Sequence, residues 1–153
     1  MTRKVDIYWS KQYDFYKMRE RQMVPLHDET YLLYMFIENP GQGYKKELIY
    51  IGIVKSDYRD LFMRMNEHRK SWLSKISKGD IFVKFGTVYT NDKADKQLLE
   101  DVESALVFGA QPRENISKMK SYTLYEDVIV RNRNSEGFVD LKYSTAMQHE
   151  KGQ

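Results

Sequence analysis

Glu103 is oddly placed for a carboxylate. Read as a helix, its neighbours at i−4, i+3 and i+4 are Leu99, Leu106 and Val107. A carboxylate in that setting is poorly solvated and wants a cation or a proton. Glu100 and Asp101 fall at other helical angles and read as ordinary solvated charge. Arg64 and His68 stand four apart, so they stack on one helix face. That pairs a guanidinium whose planar fork matches phosphate with an imidazole able to move a proton near neutral pH. Tyr31, Tyr34 and Tyr50 lie in apolar runs where tyrosine also serves packing alone.

Basic residues gather in three groups: Arg3, Lys4, Lys11, Lys17, Arg19 and Arg21; Arg59, Arg64, Arg69 and Lys70; and Arg113, Lys118 and Lys120. The first is interleaved with Tyr8, Trp9, Tyr13, Phe15 and Tyr16. Such interleaving suits phosphate contacts and base stacking, and equally a solvated basic surface over an aromatic core. The formal net charge of +3 is too small to decide between them.

With 153 residues, 41% hydrophobic and 31% charged, the chain has the composition of one folded domain. It contains no cysteine, which excludes disulfides, thiolate metal sites and a cysteine nucleophile, and suits a reducing cytoplasm. His27, His68 and His149 are too scattered for a histidine-rich zinc site. There is no long apolar run for a membrane span, and the N-terminus leads into no signal-like segment.

These residues need elements to hold them. The first 25 or so residues show no clean period. Residues 30–37 are apolar and aromatic throughout and stop at Asn39-Pro40-Gly41, as a strand buried on both faces would. Residues 48–54 form a second strand, making an antiparallel hairpin with the first. Leu61, Phe62, Met65, Trp72 and Ile76 fall on one helical stripe, broken at Gly79. A third strand alternates through 81–89. A helix capped by Asn91-Asp92 follows, with Leu98, Leu99, Val102, Ala105 and Leu106 as its apolar face and Gly109 and Pro112 as its end. Residues 122–130 and 138–141 read as a C-terminal hairpin, and a frayed polar tail covers 144–153. The pattern predicts one α+β domain with an antiparallel sheet.

The ordered set resembles the GIY-YIG nuclease superfamily. An aromatic strand holding a tyrosine is followed by Tyr50-Ile51-Gly52, a helix with Arg64 and His68, a strand, Glu103 on a helix, and Pro112-Arg113-Glu114-Asn115. The likeness runs from about residue 30 to residue 115. It implies three core strands flanked by helices, with residues 1–29 as an N-terminal extension and 30–143 as the nuclease domain including the hairpin. The first motif lacks its glycine and reads Glu29-Thr30-Tyr31, with Leu33-Tyr34 as the competing register. Arg59 is the fallback for the arginine, because the stretch from Gly52 to Arg64 is long for the family.

The resemblance implies a divalent-metal-dependent DNA endonuclease of phage, mobile-element or restriction type. In it Tyr31 acts on the attacking water, Tyr50 hydrogen-bonds water or phosphate, and Arg64 grips non-bridging oxygens. Glu103 holds Mg²⁺ or Mn²⁺, Asn115 orients the site and His68 relays a proton from a tyrosine. Arg59, Arg69, Lys70, Arg113 and Lys118 are the expected DNA-binding residues. A homodimer gives two such sites a route to a double-strand break. Two other functions stay open: a catalytically inactive nucleic-acid-binding module on the same fold, and a protein-interaction domain whose aromatics are only core.

Overall fold

The structure, a computed structural model, describes residues 2–18, 32–54, 58–76, 80–91 and 94–151. In chain order the elements are β1 (Arg3–Trp9), β2 (Tyr13–Asp14), β3 (Leu32–Asn39), β4 (Glu47–Val54), α1 (Tyr58–Lys70) and α2 (Leu73–Ile76). There follow β5 (Asp80–Thr90), α3 (Lys96–Ala110), β6 (Val128–Arg133), β7 (Lys142–Ser144) and α4 (Thr145–Lys151). The fold is α+β. The described strands join one sheet in the order β4-β3-β5-β1-β6-β7, and β2 pairs with β5 off that path.

The expected three antiparallel strands are only the β4-β3-β5 portion of a larger, mixed sheet. The start of the chain, expected as an extension, supplies an inner strand. β1 pairs antiparallel with β5 on one side and parallel with β6 on the other. Its period is clean over seven residues, with Val5, Ile7 and Trp9 buried and Lys4 and Tyr8 exposed. Read together with the turn that follows, that alternation disappears.

Two cores flank the sheet. On one face Leu98, Leu99, Val102, Ala105 and Leu106 of α3 pack on Val5, Ile7, Leu33, Met35, Ile37 and Ile51. On the other, Leu61 and Met65 of α1 and Leu73 of α2 pack on Leu32, Tyr34, Phe36, Val83 and Phe85. β3 lies under both, which is why residues 32–37 are buried without alternation.

Several boundaries differ from expectation. The stripe expected to run to Ile76 breaks at Ser71-Trp72, so α1 and α2 are separate. α3 is capped by Asp95, whose carboxylate accepts from the Leu98 amide at 2.8 Å, rather than by Asn91-Asp92. It ends at Gln111 in the left-handed region, φ 54°, with the Gln111 amide donating to the Val107 carbonyl. Gly109 lies inside the helix, and the Tyr143 ring occupies the place where a Cβ would be. Asp101, expected as solvated charge, is buried and accepts from the amides of Tyr125 and Glu126 at 2.9 and 3.0 Å. A C-terminal antiparallel pair is present, but its strands are 128–133 and 142–144 rather than the expected 122–130 and 138–141. The tail expected to fray forms α4, fastened by Thr145 to Asp127 and by Gln148 to the Ala105 carbonyl. No described helix is long and apolar enough to cross a membrane.

Candidate active site

β4 is the edge strand, and it carries Tyr50-Ile51-Gly52. Its pairing with β3 shifts between Phe36 and Ile37: Phe36 faces Tyr50, while Ile37 faces Leu48. Ile49 is therefore an extra residue, a β-bulge. The bulge resets the pleat so that Ile49 and Tyr50 both join the α1 side. Tyr34 stands directly opposite Gly52. A Cβ on Gly52 would lie 2.4 Å from the Tyr34 Cζ and Oη, so only glycine admits the Tyr34 ring here. The Pro112–Asn115 loop closes the free edge of the strand. The Glu114 amide donates to the Ile49 carbonyl at 2.9 Å. The Asn115 side chain both accepts from the Ile51 amide at 2.9 Å and donates to its carbonyl at 2.8 Å.

Over Tyr34 and Tyr50 lies His68 of α1, buried, its ring centroid 5.0 Å from Tyr50 and 5.2 Å from Phe36. His68 Nε2 is 2.7 Å from the Tyr34 hydroxyl, and Trp72 Nε1 donates to His68 Nδ1 at 2.8 Å. An indole N–H can only donate, so Nδ1 is the bare nitrogen. A neutral ring then carries its proton on Nε2 and donates it to Tyr34. Burial, helped by the Arg64 charge, holds His68 down to about 4, so the neutral form prevails near neutral pH. His68 therefore cannot take a proton from Tyr34 at Nε2, as the relay expected from the sequence would need.

Tyr34 has no exposure to solvent, and burial, with the neighbouring Tyr50, pushes its phenol well above the ordinary range. The Arg64 guanidinium opposes this by its charge and a hydrogen bond. Burial raises Tyr50 too, and the Glu103 charge adds to the rise; Arg64 and a hydrogen bond from Tyr34 pull it down. Arg64 is partly exposed and also pairs with Glu67 at 3.3 Å. The helices α1 and α3 lie on opposite faces of the sheet, and the Glu103 charge raises both phenols.

Glu103 has a partner that sequence reasoning missed. Lys118 donates to its Oε1 at 2.7 Å and to the Glu100 carbonyl at 3.3 Å. Lys118 sits at φ 68°, a left-handed conformation unusual for a lysine. No sequence signal marks a pair fifteen residues apart across a loop. Among the described residues no three acidic or histidine side chains gather as a metal cage. Glu103 is a single carboxylate there, with one oxygen taken by Lys118.

Of the residues expected to act, Tyr50, Arg64 and His68 are brought together with Tyr34 on the α1 face, Asn115 holds the Ile51 backbone, and Glu103 lies on α3 across the sheet, paired with Lys118. Tyr31 lies outside the described residues, and Tyr34, the competing register, holds the place beside His68. The Arg59 side chain is also outside them. Among the expected DNA-binding residues, Arg113 pairs with Glu38, Glu47 and Glu114, and Lys118 with Glu103. Arg69 lies over the Phe15 ring and donates to the Phe15 carbonyl, while Lys70 is exposed. No family model, curated protein or solved structure matches the chain.

Proposed function

We propose that the chain is a GIY-YIG-type endonuclease, dependent on a divalent metal, that hydrolyses DNA phosphodiester bonds. The observation that carries this reading is the cluster of Tyr34, Tyr50, Arg64 and His68 on the α1 face, anchored by the hydrogen bond between His68 and Tyr34. Trp72 donates to His68 and His68 to Tyr34, and the Tyr50 ring stacks beside Tyr34 with centroids 6.1 Å apart. Of the two phenols only Tyr50 has access to solvent, and the Arg64 charge opposes the rise that burial imposes on it.

Hydrolysis requires a water to lose a proton as its oxygen bonds to phosphorus and the bond to the leaving oxygen breaks. Tyr50 takes that proton as general base. Tyr34, His68 and Trp72 are positioning residues that act through it. Arg64 grips the non-bridging oxygens and favours the phenolate by its charge. Asn115 holds the Ile51 backbone, and so Tyr50, in place. Glu103 would hold Mg²⁺ or Mn²⁺, which supplies charge neutralisation at the phosphate and leaving oxygen.

The test is nicking of supercoiled plasmid with Mg²⁺, with EDTA as control. The reading expects nicked circles that EDTA prevents; intact plasmid at high enzyme with either metal contradicts it. Lys118 on Glu103 favours a second reading, a module that binds nucleic acid without cutting it. That reading expects DNA retention that weakens with salt, and no nicking.

A further inference from the structure

The sheet face that carries Tyr34 extends beyond the cover of α1. Past Phe85 the same face of β5 presents Thr87 and Tyr89. Across the strands, Tyr89 faces Asp6, Asp6 faces Arg131 and Arg131 faces Lys142; Thr87 faces Tyr8, which faces Arg133; and Lys4 faces Ile129. Tyr8 and Tyr89 are 49% and 53% exposed although both lie on inner strands, and their rings meet edge to face at 5.2 Å. Two half-exposed aromatic rings in the middle of a sheet are not core. Lys4, Arg131, Arg133 and Lys142 surround them, against one acid among the described residues of this face, Asp6, which pairs with Arg133 at 3.3 Å. A cleft of about 420 Å³ opens between Lys4, Tyr89, Asn91 and Arg131.

We infer that this face binds a DNA strand, unpaired where it crosses Tyr8 and Tyr89, and leads it toward the site at β4. The inference rests on the nuclease reading for the identity of its ligand. Four cations around two rings match alternating phosphates and bases: the cations neutralise the backbone and the rings stack on bases. Three strand spacings separate β1 from β4, about 14 Å, the reach of two or three nucleotides. The face is assembled from the start of the chain, β5 and the C-terminal hairpin, so these additions to the three core strands have a common purpose.

The experiment measures binding of a fluorescent single-stranded oligonucleotide, and of a blunt duplex, to the full chain at low and moderate salt. The variants are Tyr8→Ala/Tyr89→Ala and Arg131→Gln/Lys142→Gln. All four side chains are exposed, and thermal melting checks that the variants fold. The tyrosine variant should lose about tenfold or more in single-strand affinity and little for duplex. The charge variant should bind more weakly with a shallower salt slope. A parent that cuts DNA while the tyrosine variant binds single strands unchanged overturns this inference and leaves the nuclease reading intact. Face-dependent binding without cleavage supports the inference and removes the nuclease reading. No binding by the parent overturns both. A parent dimer that Tyr8→Ala/Tyr89→Ala dissociates overturns the inference, because the face is then a contact between two copies of this chain.

Discussion

Tyr34 and Tyr50 share a motif but not an environment. Tyr34 is sealed and already accepts from His68. Tyr34→Phe leaves the His68 Nε2–H without its acceptor, which should cost about 1–3 kcal/mol of stability and markedly slow cleavage. Tyr31→Phe should be mild by both measures, and equal losses from the two would restore the other register. The burial of His68, with the Arg64 charge beside it, makes stability depend on pH. His68 in the fold titrates at about 4 against 6.5 unfolded, so between these values the unfolded chain binds the extra proton. Stability is therefore full above about 6.5 and falls as the pH drops toward about 4, by on the order of 2 kcal/mol after solvent screening. Chemical denaturation across that window should show the slope, and His68→Gln should flatten it. The type and spacing of Arg64, His68 and Glu103 were legible in the sequence. The direction of the proton on His68 was not, because it depends on Trp72 reaching back one helical turn to Nδ1. Nor was Lys118, which reaches Glu103 from a loop. Lys118→Met should let Mg²⁺ stabilise the fold at lower concentration, read as a thermal shift, since the metal then has no ammonium to displace. An unchanged metal midpoint would separate Lys118 from the metal.

At the scale of elements, the edge strand sets the geometry. The bulge at Ile49 aims Tyr50, and Gly52 leaves room for Tyr34. Gly52→Ala should therefore destabilise by about 1–3 kcal/mol through overpacking and lose cleavage, since the Tyr34 ring, closed in on every side, must give way. A Gly52→Ala protein as stable and active as the parent would mean that the ring is not held as described. The strands β3, β4 and β5 and helix α3 were readable because each has one dominant period or one unbroken apolar run. The bulge was not, since Leu48-Ile49-Tyr50-Ile51 is apolar in either register and only pairing with β3 reveals the extra residue. Helix ends were misplaced where a side chain did the work of a backbone signal. Asp95 caps α3 in preference to Asn91-Asp92, and Gly109 serves close packing of the Tyr143 ring rather than the helix end.

For the molecule as a whole, the sheet joins the site to the ends of the chain. The role of β1 could not be read locally, because its partners β5 and β6 lie about 80 and 125 residues away. Basic residues lie on several elements, so DNA binding should weaken steeply as salt rises, and binding that stays flat would count against nucleic acid as the main ligand. Cleavage should climb with pH through the neutral range into the alkaline, with a slope near one on a logarithmic plot. The general base must be deprotonated, and the Tyr50 phenol titrates above its ordinary value. The most direct measurement is the single-turnover cleavage rate of bound DNA with saturating Mg²⁺, for the parent, Tyr50→Phe and Glu103→Gln. Both variants should fold, bind DNA as the parent does, and cut it slower by about a thousandfold or more, the equivalent of about 4 kcal/mol in the barrier. Either variant cutting at the parental rate would contradict the assignment of this site.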